Sequence, residues 1–97
     1  LPYIIIPDEV AQDHTLSDKA KLLYGYALRL HQMRKQGCYA QNGYFCEKLN
    51  VHERQVQRYL SQLKEGGHVA ILIKRDKSIK IISRKIVPKR VHKKEEE

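Results

Sequence analysis

Residues 42–75 read NGYFCEKLNVHERQVQRYLSQLKEGGHVAILIKR. Val56, Tyr59, Leu60 and Leu63 recur at i, i+3, i+4 and i+7, which predicts an amphipathic helix from Glu53 to about Glu65. Gly66-Gly67 is its stop signal. Upstream, Asn50-Val51-His52 is only long enough for a turn. Tyr44, Phe45 and Leu49 supply one apolar face to a brief helix over Gly43–Leu49, with Asn42 as its N-cap. Downstream the period changes. Two Val/Ile-rich runs, His68–Arg75 and Ser78–Val87, flank Asp76-Lys77 and predict a β-hairpin. A two-residue and a three-residue loop place Ile79, Ile81 and Ile82 on different faces, so the register stays open. Helix, turn, helix, two glycines and hairpin is the element order of a winged helix-turn-helix. The expected class is α+β, with about three helices plus a C-terminal β-hairpin wing.

The flanking segments extend this frame. Tyr3-Ile4-Ile5-Ile6 is a β-rich run, expected to close the hairpin into a three-stranded sheet. Pro7-Asp8-Glu9-Val10 reads as one helical turn with Pro at its first position. Ser17 is a good N-cap for a long helix from Asp18 to Gln36, ending at Gly37. Ala20, Leu23, Tyr24, Ala27, Leu30 and His31 fall at helical spacing, and Leu22, Tyr26 and Leu28 add apolar area elsewhere, so this helix is expected to be central. Cys38-Tyr39-Ala40 reads as a short strand. Pro88 ends the second hairpin strand. One domain over 1–88 and a charged tail over 89–97 follow.

The 97 residues are 41% hydrophobic, a globular rather than a disordered composition. A single core of this size leaves little room for a deep catalytic cleft. No apolar run approaches the ~18 residues of a membrane span, and no signal-peptide pattern opens the chain. Two cysteines make no disulfide framework, so a reducing cytoplasmic setting is expected. The net charge is +8, and it is segregated. Residues 1–73 carry nine basic and seven acidic side chains, and residues 74–97 carry ten and four. Such a segment attracts a polyanion through counterion release, although a charge run alone is more often a solvated tail.

The inward stripe of the second helix of the pair leaves Arg54, Gln55, Gln57, Arg58 and Ser61 outward. Arg54, Gln55 and Arg58 are the candidate base readers, since Arg pairs with guanine and Gln with adenine, and the helix start usually enters the major groove. Asn42 and His52, at the two helix starts, join them as candidate DNA-binding residues. The hairpin adds Lys74, Arg75, Lys77, Lys80 and Arg84, with Lys85 beside them. The wing is therefore expected to supply more of the electrostatic affinity than the helix.

Other chemistries fit poorly. His31, Cys38, Cys46 and His52 lie six, seven and five residues apart, wider than structural zinc spacing. Six tyrosines invite a nickase reading, but there is no His-x-His to hold its metal. Tyr24, Tyr26 and Tyr59 sit at core spacing, whereas Tyr44 either packs or touches a phosphate. Gly66-Gly67 matches no nucleotide loop, and Asp13, Ser17 and His31 form no nucleophile arrangement. No enzyme activity, cofactor or metal is expected. RNA binding lacks an exposed aromatic platform.

The stretches IIPDEV, LSDKAKLLYGYALRL, CYAQNGYFCEKLNV and ERQVQRYLSQLKEGGHV, within residues 3–70, resemble the helix-turn-helix domains of replication initiators on plasmids and phages of Gram-positive bacteria. They also resemble small accessory proteins of clostridial conjugative plasmids. The resemblance implies a winged helix that binds double-stranded DNA at an origin of replication or transfer. It further implies a relaxase or replication protein as a partner. That family usually has Ser where this chain has His52. His caps poorly, and Asn50 with Glu53 is the alternative capping box. A homodimer through the long helix or residues 3–6 is a further expectation. The alternatives are a transcriptional regulator and a protein-interaction adaptor that does not bind DNA.

Overall fold

The computed structural model describes residues 3–33, 38, 40–75, 77 and 81–89, and leaves the side chains of 75 and 81–83 undescribed. Among the described residues the order is α1 (Asp8–Ala11), α2 (Asp18–Met33), α3 (Asn42–Leu49), α4 (Glu53–Glu65), β1 (Val69–Arg75) and β2 (Ile81–Pro88). This is the α+β winged helix-turn-helix that the element order predicts.

Helix α2 is the centre of the molecule. Ser17 caps it: its Oγ accepts from the Ala20 N–H at 3.3 Å. Gln62 of α4 holds the same corner, its Oε1 accepting from the Ser17 N–H at 3.1 Å and from the Ser17 hydroxyl at 3.2 Å. Ala20, Leu23, Tyr24, Ala27 and Leu28 are buried. Leu22 is exposed and His31 only half-buried, so the inward face includes Leu28 in place of His31. The expected helix end at Gly37 lies outside the described residues.

Residues 3–6 do not form a third strand. They lie on α2 at Gly25, where an added Cβ would sit 2.9 Å from Ile4 Cδ1 and 3.2 Å from Ile6 Cγ1. Gly25 therefore serves as the seat for the N-terminal segment. Tyr3 and Ile5, alternating with the seated pair, stay exposed. Pro7 is the N-cap of α1 rather than its first helical residue, and its carbonyl accepts from the Val10 and Ala11 N–H groups.

The hairpin packs one face on the core. The register pairs Val69 with Pro88, Ile71 with Ile86 and Ile73 with Arg84, then shifts at Lys74/Arg75 so that Arg75 faces Ile81. Val69, Ile86 and Pro88 are buried and Ile71 is half-buried against the core. The second strand ends at Pro88, its last paired residue, as expected, and the expected start at Ser78 lies outside the described residues. A Pro at a strand end is tolerated because only its missing N–H bars it from a ladder. The Cys38 carbonyl accepts from the Ile86 N–H at 2.9 Å in an isolated bridge; Tyr39, the middle of the expected short strand, lies outside the described residues. Cys38 and Cys46 form no disulfide; Cys38 is buried and Cys46 half-buried.

Phe45, Val56, Leu63, Tyr24 and Leu23 fill the space between α2, α3 and α4. Tyr59 is buried at the edge of this cluster, as its spacing predicts. Tyr44 packs: its ring meets Phe45 and Tyr26 edge-on, with centroids 5.3 and 6.5 Å away.

Candidate nucleic-acid interface

The turn between α3 and α4 is set by Asn50, the one described non-glycine residue with positive φ (φ 55, ψ 54). Asn tolerates this left-handed conformation better than other residues with a Cβ. The Val51 N–H then reaches back to the Cys46 carbonyl at 3.1 Å, and Lys19 Nζ donates to the Leu49 carbonyl at 3.1 Å. Asn50 thus terminates α3 and is not the cap of α4. The α4 start is closed by His52 and Gln55 instead: the His52 N–H donates to Gln55 Oε1 at 3.1 Å, and the Gln55 N–H donates to the His52 carbonyl at 3.0 Å. Gln55 is half-buried in this role, while His52 stays exposed.

At its other end α4 stops at Gly66-Gly67. Gly67 has φ 78, and the His68 N–H donates to the Leu63 carbonyl at 2.9 Å, a Schellman-type closure. Between these ends, Val56, Tyr59, Leu60 and Leu63 face inward. Glu53, Arg54, Gln57, Arg58, Ser61 and Lys64 are exposed. Arg54 and Arg58, four apart, share one face.

The sequence places Asn42 as the α3 N-cap. In the structure Gln41 has that place and Asn42 is the first helical residue. The Asn42 side chain acts across the fold. Its Oδ1 accepts from Arg84 Nη1 at 2.6 Å and its Nδ2 donates to Glu53 Oε2 at 3.2 Å. Arg84 Nη2 donates to the Ala40 carbonyl at 2.7 Å. Arg84 is half-buried, and burial pushes its pKa down while Cys38 and then the Glu53 carboxylate favour its charge. Arg84, expected among the wing's DNA-facing residues, is therefore engaged inside the protein.

On the wing, Lys74 and Lys77 are exposed. Leu72 and Ile73 beside them are exposed too, at 56% and 45%. The Arg75 side chain and Lys80 lie outside the described residues. The structure thus links Arg84 to Glu53 through Asn42, places Arg54 and Arg58 on one exposed face, and carries Lys74 and Lys77 on a separate hairpin.

One part-buried polar pair carries no sequence signal. His68, directly after the glycine pair, meets Asp13 between α1 and α2, with Nε2 2.7 Å from Oδ2. Asp13 Oδ1 accepts from the Thr15 hydroxyl at 2.5 Å and the Thr15 N–H at 2.9 Å. The Thr15 hydroxyl, then His68 and the Thr15 N–H, hold the Asp13 carboxyl well below the usual carboxylate range. Asp-His-Thr is a readable local turn signal, but no sequence signal links it to a histidine 55 residues away.

Two helices joined by a short turn and followed in the chain by an antiparallel hairpin define a winged helix-turn-helix module. The model of the helix-turn-helix domain family matches residues 14–69, more than half of the chain, and the chain belongs to that family. The match runs from the α1–α2 connector to the first residue of β1, so most of the wing lies beyond it. No curated protein and no solved structure matches the chain. The family points to DNA binding. No described helix is long and apolar enough to cross a membrane.

Proposed function

We propose that this chain is a sequence-specific, double-stranded DNA-binding protein, without enzyme activity, that acts at an origin of transfer or replication on a mobile plasmid or phage. The observation that carries the DNA-binding part is the exposed basic face of α4, Arg54 and Arg58 with Gln57 and Ser61, above an inward stripe that fully accounts for the helix's apolar residues. Arg54 and Arg58 are the base and phosphate contacts of the helix, with His52 at its start. Lys74, Arg75, Lys77 and Lys80 are the contacts of the wing. Gln55 supports the helix end from within. The origin-specific role is supported by the sequence resemblance to initiator and conjugation accessory domains, which also suggests a relaxase or replication protein as a partner. A second copy of the chain is a further partner, through residues 3–6 and α2, where Tyr3, Ile5, Leu22 and Met33 are exposed.

Fluorescence anisotropy on duplexes tiled across the parent element tests this. One tile bound about 10³-fold more tightly than random DNA is the expected result. Its position separates an origin from a promoter operator, the place a transcriptional regulator would choose. Equal, strongly salt-dependent binding to every tile would remove the sequence-specific reading. An absence of binding at low salt would remove DNA binding altogether and favour the protein-interaction adaptor.

A further inference from the structure

The outward surface of α4 begins with an acid. Glu53 is exposed at the first position of the helix, where a phosphate backbone would repel it. Its carboxylate is bonded to Asn42, and Asn42 to Arg84. The amide of Asn42 has only one workable orientation in this chain. Arg only donates and a carboxylate only accepts, so Oδ1 must face Arg84 and Nδ2 must face Glu53. The guanidinium is a fork with one prong on Asn42 Oδ1 and the other on the Ala40 carbonyl. Three elements meet here: β2 of the wing, the start of α3 and the start of α4. Arg84 is paired with Ile73 in the hairpin register, one residue from the exposed Lys74.

Resting on the DNA-binding reading above, we infer that Arg84 and Asn42 are positioning residues, which lock the wing to the first turn of α4 and balance the charge of Glu53, and that they contact no phosphate. The pair of full charges cancels, so the +1 of Arg84 and the −1 of Glu53 leave the attraction of DNA to Arg54, Arg58 and the wing lysines. The fork is planar and rigid, so geometry rather than charge is what Arg84 contributes, and Lys cannot replace it. Losing it leaves the two reading elements free to adopt other relative angles. That harms the matched duplex, which both elements must fit together, more than random DNA, which either element can hold alone.

The test compares Arg84→Lys, Arg84→Met and Asn42→Ser with Lys74→Ala, each checked for a cooperative thermal transition. Affinity is measured over a salt series for the tightest-binding tile and for a random duplex. Arg84→Lys and Arg84→Met are expected to weaken the specific duplex about tenfold or more, to change the random duplex by less than about threefold, and to leave the salt slope unchanged. Lys74→Ala is expected to lower the slope by about 0.9. If Arg84→Lys matches wild type while Arg84→Met lowers the slope by about one on both duplexes, Arg84 is a phosphate contact and the inference is overturned. An unchanged ratio of specific to random affinity in all three variants overturns it as well. A separate readout needs no DNA: the side-chain amide resonances of Asn42 in a ¹H–¹⁵N spectrum. They are expected to move in Arg84→Lys, Arg84→Met and Glu53→Gln alike. If wild type binds no duplex, the functional reading fails on its own; resonances that stay in place would show that the lock itself is wrong.

Discussion

Single residues carry the local logic of this fold, and two of them make sharp predictions. Asp13 has its carboxyl held below its ordinary value of 3.8, first by the Thr15 hydroxyl and then by His68. A depressed folded-state pKa gives stability that is present above the unfolded value and disappears as pH falls towards the folded one. Wild-type melting temperature should therefore drop as pH goes below about 4, and Asp13→Asn should flatten that acid limb. Circular dichroism melts from pH 2 to 7 check this; parallel curves for the two proteins would refute it. Gln55 closes the start of α4 by accepting from the His52 N–H. Gln55→Ala should cost about 1 kcal/mol in urea unfolding, the usual size of a lost cap. This capping role was not legible beforehand. The sequence offered Asn50 with Glu53 as the capping box, and the outcome turned on Asn50 being the residue that adopts positive φ.

Elements were far more legible than the contacts between them. The stripe Val56, Tyr59, Leu60 and Leu63 defined α4, and the glycine pair ended it, as a strong period with a clear stop signal should. Residues 3–6 show the limit. Their β-rich composition suggested a strand, yet Gly25 offered a shallow seat on α2 into which Ile4 and Ile6 fit, and side-chain burial outweighed strand propensity. Gly25→Leu should unseat the segment and destabilise the protein by about 1–3 kcal/mol, while Ile4→Ala in the same background should recover part of the loss. On the proposed DNA-binding reading, the wing and α4 divide the DNA-facing charge. Replacing Lys74, Arg75 and Lys77 together by Ala should weaken duplex binding more than replacing Arg54 and Arg58. Titration of both variants at two salt concentrations decides between them, and the reverse ranking would assign the main role to α4.

For the whole molecule, the positive charge is concentrated in residues 74–89. Residues 90–97 hold three basic and three acidic side chains, a net of zero, so they add little to the +8 total. Lys89 belongs to the fold: its N–H donates to the His68 carbonyl at 2.8 Å and its carbonyl accepts from the Tyr24 hydroxyl at 3.3 Å. A chain ending after Lys89 should melt within about 2 °C of the full chain and keep its salt slope within about one unit. A larger loss of slope would place phosphate contacts in the last eight residues and subtract them from the wing.

The order and type of the elements follow from local signals, because period, caps and glycine stops act over three or four residues and are written contiguously. The basic bias of the last quarter of the chain is equally plain in the residues. Which polar side chains are available to a partner depends instead on packing. Arg84 reads in sequence like any other wing arginine, and Asn42 like an ordinary cap. They are bound to each other and to Glu53 because packing β2 against the start of α3 brings together groups 42 and 11 residues apart. Hydrogen bonds need placement to within a few tenths of an ångström, and folding the whole core is what supplies it.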